Sequence, residues 1–212
     1  AEAYQSYDLK ELQSDFYQAV SMTPVICWVH KNIVDDRIGA QFFHPRRENI
    51  IQKLRGTCEL KRLSDLTLRI TRRVSTEKAA HLGYVGLSEI DSSSGFFEPI
   101  PMEKAETVGV SSYFESGDIL FSKLRPYLNK VTICPDHIKE ACGSTELLVY
   151  RAKRGVRPYY IFFLLKSSLG LFQIIDSTTG STLPRVDPVI IDDILIPLVT
   201  EQIQDEIDRR VR

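Results

Sequence analysis

Gly117–Val131 reads GDILFSKLRPYLNKV, and about a dozen residues later Gly143–Arg151 reads GSTELLVYR. Gly117-Asp118 is a turn signal, and Ile119-Leu120-Phe121 is an apolar run of strand length that opens from it. Asn129 and Lys130 lead into VTIC, a second strand. Between them Pro126 fixes its own φ and biases Arg125 toward an extended conformation, which predicts a rigid bend over Leu124–Leu128 rather than a helix. The segment carries Lys123, Arg125 and Lys130 among aromatic and apolar residues, with no acid after Asp118. Such a cationic strip suits an anion. The planar fork of Arg125 matches phosphate or the O6/N7 edge of guanine, and Asn129 has the donor and acceptor for a bidentate pair with adenine. Tyr127 offers a ring for stacking, although core or rim packing is an equally good reading.

Outward from this stretch, short β-type runs alternate with turns: LTLRI (Leu66–Ile70), YVGL (Tyr84–Leu87), GDILF, KVTIC and ELLVY, with a Ser-rich loop at Asp91–Gly95. Helical patterns flank them. Pro45 opens RRENIIQKLR, whose Ile50, Ile51 and Leu54 share a face and which ends at Gly56. YYIFFLLKSSL (Tyr159–Leu169) is apolar on nearly every side and long enough to favour a core helix, and Gly170 restarts the chain toward another. Asp8 and Glu11 form a capping-box pattern ahead of a helix near the N-terminus. From Thr200 the pattern TEQIQDEIDRRV puts acids early and arginines late, with Ile203, Ile207 and Val211 in one stripe, which suits a helix folded back on its own domain or one packed against another helix. The expected fold class is therefore mixed α/β of the α+β kind, strand-rich with packed helices.

The 212 residues, 43% of them hydrophobic, suffice for a real core. A net charge of −1 excludes a protein that coats DNA by bulk charge, so anion binding must be local. Four cysteines at irregular spacing, without a signal peptide, fit a reducing cytoplasm better than a disulfide framework. Cys27 with His30 and Cys134 with His137 lack the paired spacing of a zinc site, so no metal is expected. The longest apolar run, Tyr159–Leu165, is too short to cross a bilayer. Opening on Ala1 and closing within a helical pattern, the chain reads as a piece of a longer protein.

Further candidates stand beside plainer readings. Ser144 and Thr145 can contact base or phosphate, or simply cap the ELLVY strand. Ser181, Thr182 and Arg185 combine hydroxyls and a cation around the flexible Gly180, as phosphate-cradling loops do, yet most such loops are surface turns. Arg72 and Arg73 can reach phosphate, but adjacent residues of a strand face opposite ways and cannot share one groove. No catalytic apparatus is evident. An Asn/Asp-Pro-Pro-aromatic motif and a Gly-rich cofactor loop are both missing, and the Glu59-Leu60-Lys61 triplet has no suitably placed aspartate before it in a strand.

Five segments in order resemble the target-recognition domain of the specificity subunits of type I restriction-modification systems: RIGAQFFHPRRENIIQKLR (Arg37–Arg55), YVGLSEI (Tyr84–Ile90), VSSYFESGDILFSKLRPYLNKV (Val110–Val131), GSTELLVYR, and TTGSTLPRVDPVIIDDILIPLVTEQIQDEI (Thr178–Ile207). The resemblance implies a helical extension or linker over 1–36, a DNA target-recognition domain over 37–199 and the start of a spacer helix over 200–212 that packs in a coiled coil. It implies a non-catalytic, cytoplasmic specificity component without a cofactor of its own. That component reads one half of a bipartite site on double-stranded DNA for a methyltransferase (modification) subunit and a restriction subunit. It places Arg185 near DNA through the segment Gly180-Ser181-Thr182-Leu183-Pro184-Arg185. Complete subunits of the family usually carry two such domains and two such helices, so self-association through the C-terminal helix is a further expectation. The rival readings are a recognition domain of a single-chain methyltransferase-endonuclease and a protein-interaction scaffold without DNA affinity.

Overall fold

The computed structural model describes residues 51–105, 109–174, 177–180 and 182–212. The expected N-terminal helix, the start of the helix at Pro45, the Cys27/His30 pair and Ser181 lie outside them. The chain divides into two units, Ala1–Asp35 and Asp36–Arg212, and the described residues all belong to the second.

In chain order the elements are β1 (Glu59–Arg62), α1 (Leu63–Leu66), β2 (Thr67–Ile70), β3 (Arg73–Ser75), β4 (Gly83–Val85), β5 (Ile100–Pro101), β6 (Val110–Glu115), β7 (Ile119–Ser122), β8 (Val131–Ile133), β9 (Glu140–Gly143) and β10 (Leu147–Ala152). Then follow α2 (Pro158–Lys166), α3 (Ser168–Ile174), β11 (Thr178–Thr179), β12 (Arg185–Val186), α4 (Pro188–Asp192), β13 (Leu195–Leu198) and α5 (Glu201–Val211). All five strand-like runs of the sequence are strands, the aromatic run is a helix, and the helix before Gly56 ends at residue 55.

Two sheets carry the architecture. One has the order β2-β10-β7-β8 and is antiparallel throughout. The other has the order β3-β6-β9-β4-β5 and is antiparallel except where β4 runs parallel to β9. Gly143 sits in that parallel pair because a Cβ there would meet the carbonyl oxygen of Val85 at 2.5 Å.

Alternation along the strands sorts side chains between layers. Ile119 and Phe121 of β7, Val131 and Ile133 of β8 and Tyr150 of β10 pack with Tyr160, Ile161 and Leu165 of α2 and with Ile174 of α3. Leu120, Leu147 and Val149 face the opposite way and meet Val85, Phe114 and Ala141 of the second sheet. The described residues are thus layered as helices, four-stranded sheet, five-stranded sheet. This explains why Ile119–Ser122 is buried at every position: a strand covered on both faces reads as a continuous apolar run. On the far side of the second sheet Tyr113 and Cys142 pack with Ala79, Leu82 and Met102.

The turn at Gly117, with φ +79°, lets the chain reverse between β6 and β7. Asp118 then goes inward, accepting 2.7 Å bonds from both Nε and Nη2 of Arg151 and a 2.9 Å bond from the Glu115 amide. Asp192 accepts from the Tyr150 hydroxyl at 2.8 Å and from Arg69 at 3.0 Å, tying α4 to the first sheet.

The C-terminal helix folds back on its own domain. Ile207 and Val211 pack against the core that α2 helps build. Asp208 accepts the Tyr159 amide at 3.0 Å, satisfying a free N–H at the start of α2, and Asp205 pairs with Arg157 at 2.5 Å. Of the two arrangements the stripe allows, the helix takes the folded-back one, with Ile207 and Val211 half-buried against the domain's own core. Among the described residues no helix is long and apolar enough to cross a membrane.

Candidate nucleic-acid interface

The bend after β7 differs from the expected extended Arg125. Arg125 adopts φ 48°, ψ 59°, the left-handed region, and Pro126–Leu128 makes one 3-10 turn closed by Asn129, also left-handed at φ 49°. The proline ring disfavours right-handed helix at the preceding residue, and here the chain satisfies that restriction by turning left instead of extending. The outcome is a bend, built on a short 3-10 turn rather than on extended chain.

The antiparallel pair β11 and β12 is joined to this bend through the backbone. Leu124 bridges Arg185, the Arg125 amide donates to Pro184 O at 2.7 Å, and the Val186 amide donates to Lys123 O at 3.0 Å. Two segments singled out separately in the sequence, Lys123–Lys130 and Thr182–Arg185, thus form one edge. The 144–147 turn joins it, since the Lys123 amide donates to Glu146 O at 3.0 Å.

The charges on this edge are unequal in availability. Glu146 lies 3.8 Å from Lys123 Nζ and receives Arg185 through Nε at 3.2–3.3 Å and Nη2 at 3.1 Å. That carboxylate raises the already high pKa of Arg185. Lys130 turns inward and donates to Leu87 O. The side-chain Nδ2 of Asn129 donates to Lys166 O at 2.7 Å, while Lys166 Nζ returns a 2.7 Å bond to Asn129 O and a 2.9 Å bond to Ser92 O. Burial pulls the Lys166 amine below its ordinary pKa. Arg125 remains exposed, and its guanidinium has no partner among the described residues. Beside it Tyr127 is 48% exposed, and Leu128 and Leu183 are also open to solvent. Thr182 is exposed and Thr145 half-buried.

Ser144 is the hinge of the 144–147 turn: its Oγ accepts the Glu146 amide at 3.2 Å and its carbonyl accepts the Leu147 amide at 3.0 Å. The strand-capping reading describes this contact. Arg73 on β3 donates to the Ser112 hydroxyl, which in turn lies 3.1 Å from Ser144 O and 3.2 Å from Leu147 O. Arg72 lies over the Tyr113 ring, 3.7 Å from its centre, and 3.7 Å from a Glu115 oxygen. The two arginines therefore take opposite roles on the second sheet, as their adjacency in the chain requires. Two organising residues, Glu146 and Ser112, were not among the sequence candidates. Glu146 had a signal: it is the one acid in GSTELLVYR, at the head of an otherwise apolar strand.

Cys134 is fully buried, and burial pushes its thiol up to about 12. Glu59 and Lys61 pair with each other at 3.5 Å on β1. Among the described residues no group of three His, Cys, Asp or Glu side chains could hold a metal ion.

The edge thus presents a backbone-braced bend on which Arg125 has no side-chain partner among the described residues and Tyr127 is open to solvent. Comparison with solved structures gives the class. Over 71% of its length the chain is similar to a chain from a structural study of complex assembly and conformational transition of the type I restriction-modification system, with 28% identity and a TM-score of 0.59, covering 40% of that chain. Over 72% of its length it is similar to the HsdS subunit from Thermoanaerobacter tengcongensis, again with 28% identity, a TM-score of 0.59 and 40% of that chain covered. The fold is that of the type I specificity subunits, as the five sequence segments anticipated. This chain spans about two fifths of the length of the solved chains it matches. No family model and no curated protein matches the sequence.

Proposed function

We propose that this chain is the DNA target-recognition part of a type I restriction-modification specificity subunit, reading one half of a bipartite site without catalysing any step itself. The observation that carries the reading is the shared fold at 28% identity over 72% of the chain, combined with an exposed Arg125 held in a fixed bend beside Tyr127. In this reading backbone phosphates position the domain, and Arg125 with neighbouring hydroxyls reads base edges. Thr182 and Thr145 have hydroxyls without a partner among the described residues, Ser181 adjoins Thr182 in the chain, and Arg185, Lys123 and Ser144 hold the edge in shape.

The reaction chemistry belongs to partners: a modification methyltransferase subunit and a restriction subunit, for which this chain selects the sequence. Self-association through the C-terminal helix draws no support from the packing, since Ile207 and Val211 already serve the domain's own core. The test is a domain exchange. Residues 37–199 replace one recognition domain of a two-domain specificity subunit, the subunit is co-expressed with its methyltransferase, and methylated adenine is mapped across the host DNA. One half of the methylated motif should change while the other stays. An unchanged motif in a methylating complex overturns the reading and favours the scaffold.

A further inference from the structure

The carboxylate of Glu146 is placed where a DNA-binding edge would be expected to have none. It is only 23% exposed, and it faces two cations from different segments: Lys123 at the end of β7 and Arg185 on β12. The contact with Arg185 uses both carboxylate oxygens. The backbone of the same residue accepts the Lys123 amide, and its own amide is held by Ser144 Oγ, so the carboxylate is not a drifting surface group. Ser144 is fixed in turn to β4 through Val85 O at 3.0 Å. The acid is thus anchored to both sheets and clamps the β11–β12 pair, which otherwise touches the bend through backbone bonds.

We infer that Glu146 is a specificity-determining positioning residue: it holds the β11–β12 pair against the Lys123–Leu128 bend and withholds Lys123 and Arg185 from indiscriminate phosphate contact. This rests on the DNA-reading function proposed above. The physical argument is a competition. A cation free in solvent grips any phosphate and gains by releasing condensed counterions, which adds affinity without adding sequence information. A cation already paired with a fixed carboxylate, through hydrogen bonds for Arg185 and as a 3.8 Å ion pair for Lys123, gains less, because binding DNA must first break or share that pair. Removing the acid should therefore strengthen binding to any DNA and narrow the margin by which a correct site is preferred. Arg125, with no such partner among the described residues, is the cation of this edge that remains available.

The test is fluorescence anisotropy of the chain with a random-sequence duplex over a series of salt concentrations, with circular dichroism to check folding. Glu146→Gln should bind more tightly at every salt concentration, with a log–log salt slope steeper by about 0.9 to 1.8, one counterion contribution for each cation released. In the background that keeps Glu146, Arg125→Gln should flatten the slope by about 0.9 and Arg185→Gln by less than half as much. This second comparison decides the matter if Glu146→Gln fails to fold. An unchanged slope in folded Glu146→Gln, or equal losses from Arg125→Gln and Arg185→Gln, overturns the inference. A wild-type chain that shows no salt-dependent binding overturns the DNA reading itself, before any variant is compared.

Discussion

Asp118 and Arg151 face each other across β7 and β10 through two 2.7 Å hydrogen bonds, and the Asp118 side chain is 1% exposed. The ion pair raises the pKa of Arg151, with the Asp118 hydrogen bonds as the largest cause. A buried carboxylate stripped of its cation keeps the desolvation cost and loses the compensation. Arg151→Met should therefore destabilise the domain by about 3 kcal/mol, the low end for such pairs because Arg151 keeps partial contact with solvent. Urea unfolding at neutral pH measures it. A loss under about 1 kcal/mol would mean that the Glu115 amide alone satisfies Asp118.

Alkali should loosen the fold through its buried thiols. Burial raises Cys134 from 9.0 to about 12 and Cys142 from 9.0 to about 11. Between pH 9 and these values the unfolded chain has released protons that the native chain still holds, so the unfolded state binds fewer protons and stability falls as pH rises. The thermal midpoint should hold below pH 9 and decline above it. At pH 8 an alkylating reagent should label half-buried Cys58 while leaving Cys134 and Cys142 unmodified by mass spectrometry. Equal labelling of all three would contradict their placement.

Asn129 separates reading from bracing. Its left-handed backbone and its bond to Lys166 O make it a structural closure of the bend rather than a free adenine reader. Asn129→Ala should cost about 1 to 3 kcal/mol of stability, from the lost hydrogen bond and the strain of a positive φ. The sequence preference of the folded variant should stay as in wild type. A changed base preference with unchanged stability would assign Asn129 to the DNA instead.

Arg125→Ala addresses the available cation. A bidentate base contact predicts a loss of about 1 to 3 kcal/mol with relaxed preference at one position, whereas a phosphate contact weakens all sequences alike. Either pattern keeps Arg125 in the interface. Unchanged affinity and unchanged salt slope would remove it.

The strands and core helix were legible because their signals are local. The continuous apolar run Ile119–Phe121 and the length of Tyr159–Leu169 each report burial directly. The remaining strands carry weaker signals, and β6 shows why: VSSYFE mixes two buried serines with two buried aromatics, so neither alternation nor a clean apolar run marks it. The site was half legible. Segments 123–130 and 182–185 each carry a cationic signal, but nothing in the sequence makes them neighbours, and their charges look free because the acid that faces Lys123 and Arg185 lies 39 residues from Arg185 in the chain. Likewise, Lys130 and Asn129 have reader chemistry, and only the fold turns them toward Leu87 and Lys166. The stripe on α5 has the period of a helix seam, and the sequence holds nothing to say that α2 would be its partner.

The most direct test of the central claim is to let the chain choose its own sequence. It is incubated with a library of random duplexes, bound DNA is recovered and sequenced, and the cycle is repeated. A DNA target-recognition domain should enrich one short contiguous motif, and Arg125→Ala should either relax one position of that motif or lower recovery for all sequences. Recovery of DNA with no enriched motif, or no recovery at low salt, would contradict the claim that this chain reads DNA sequence.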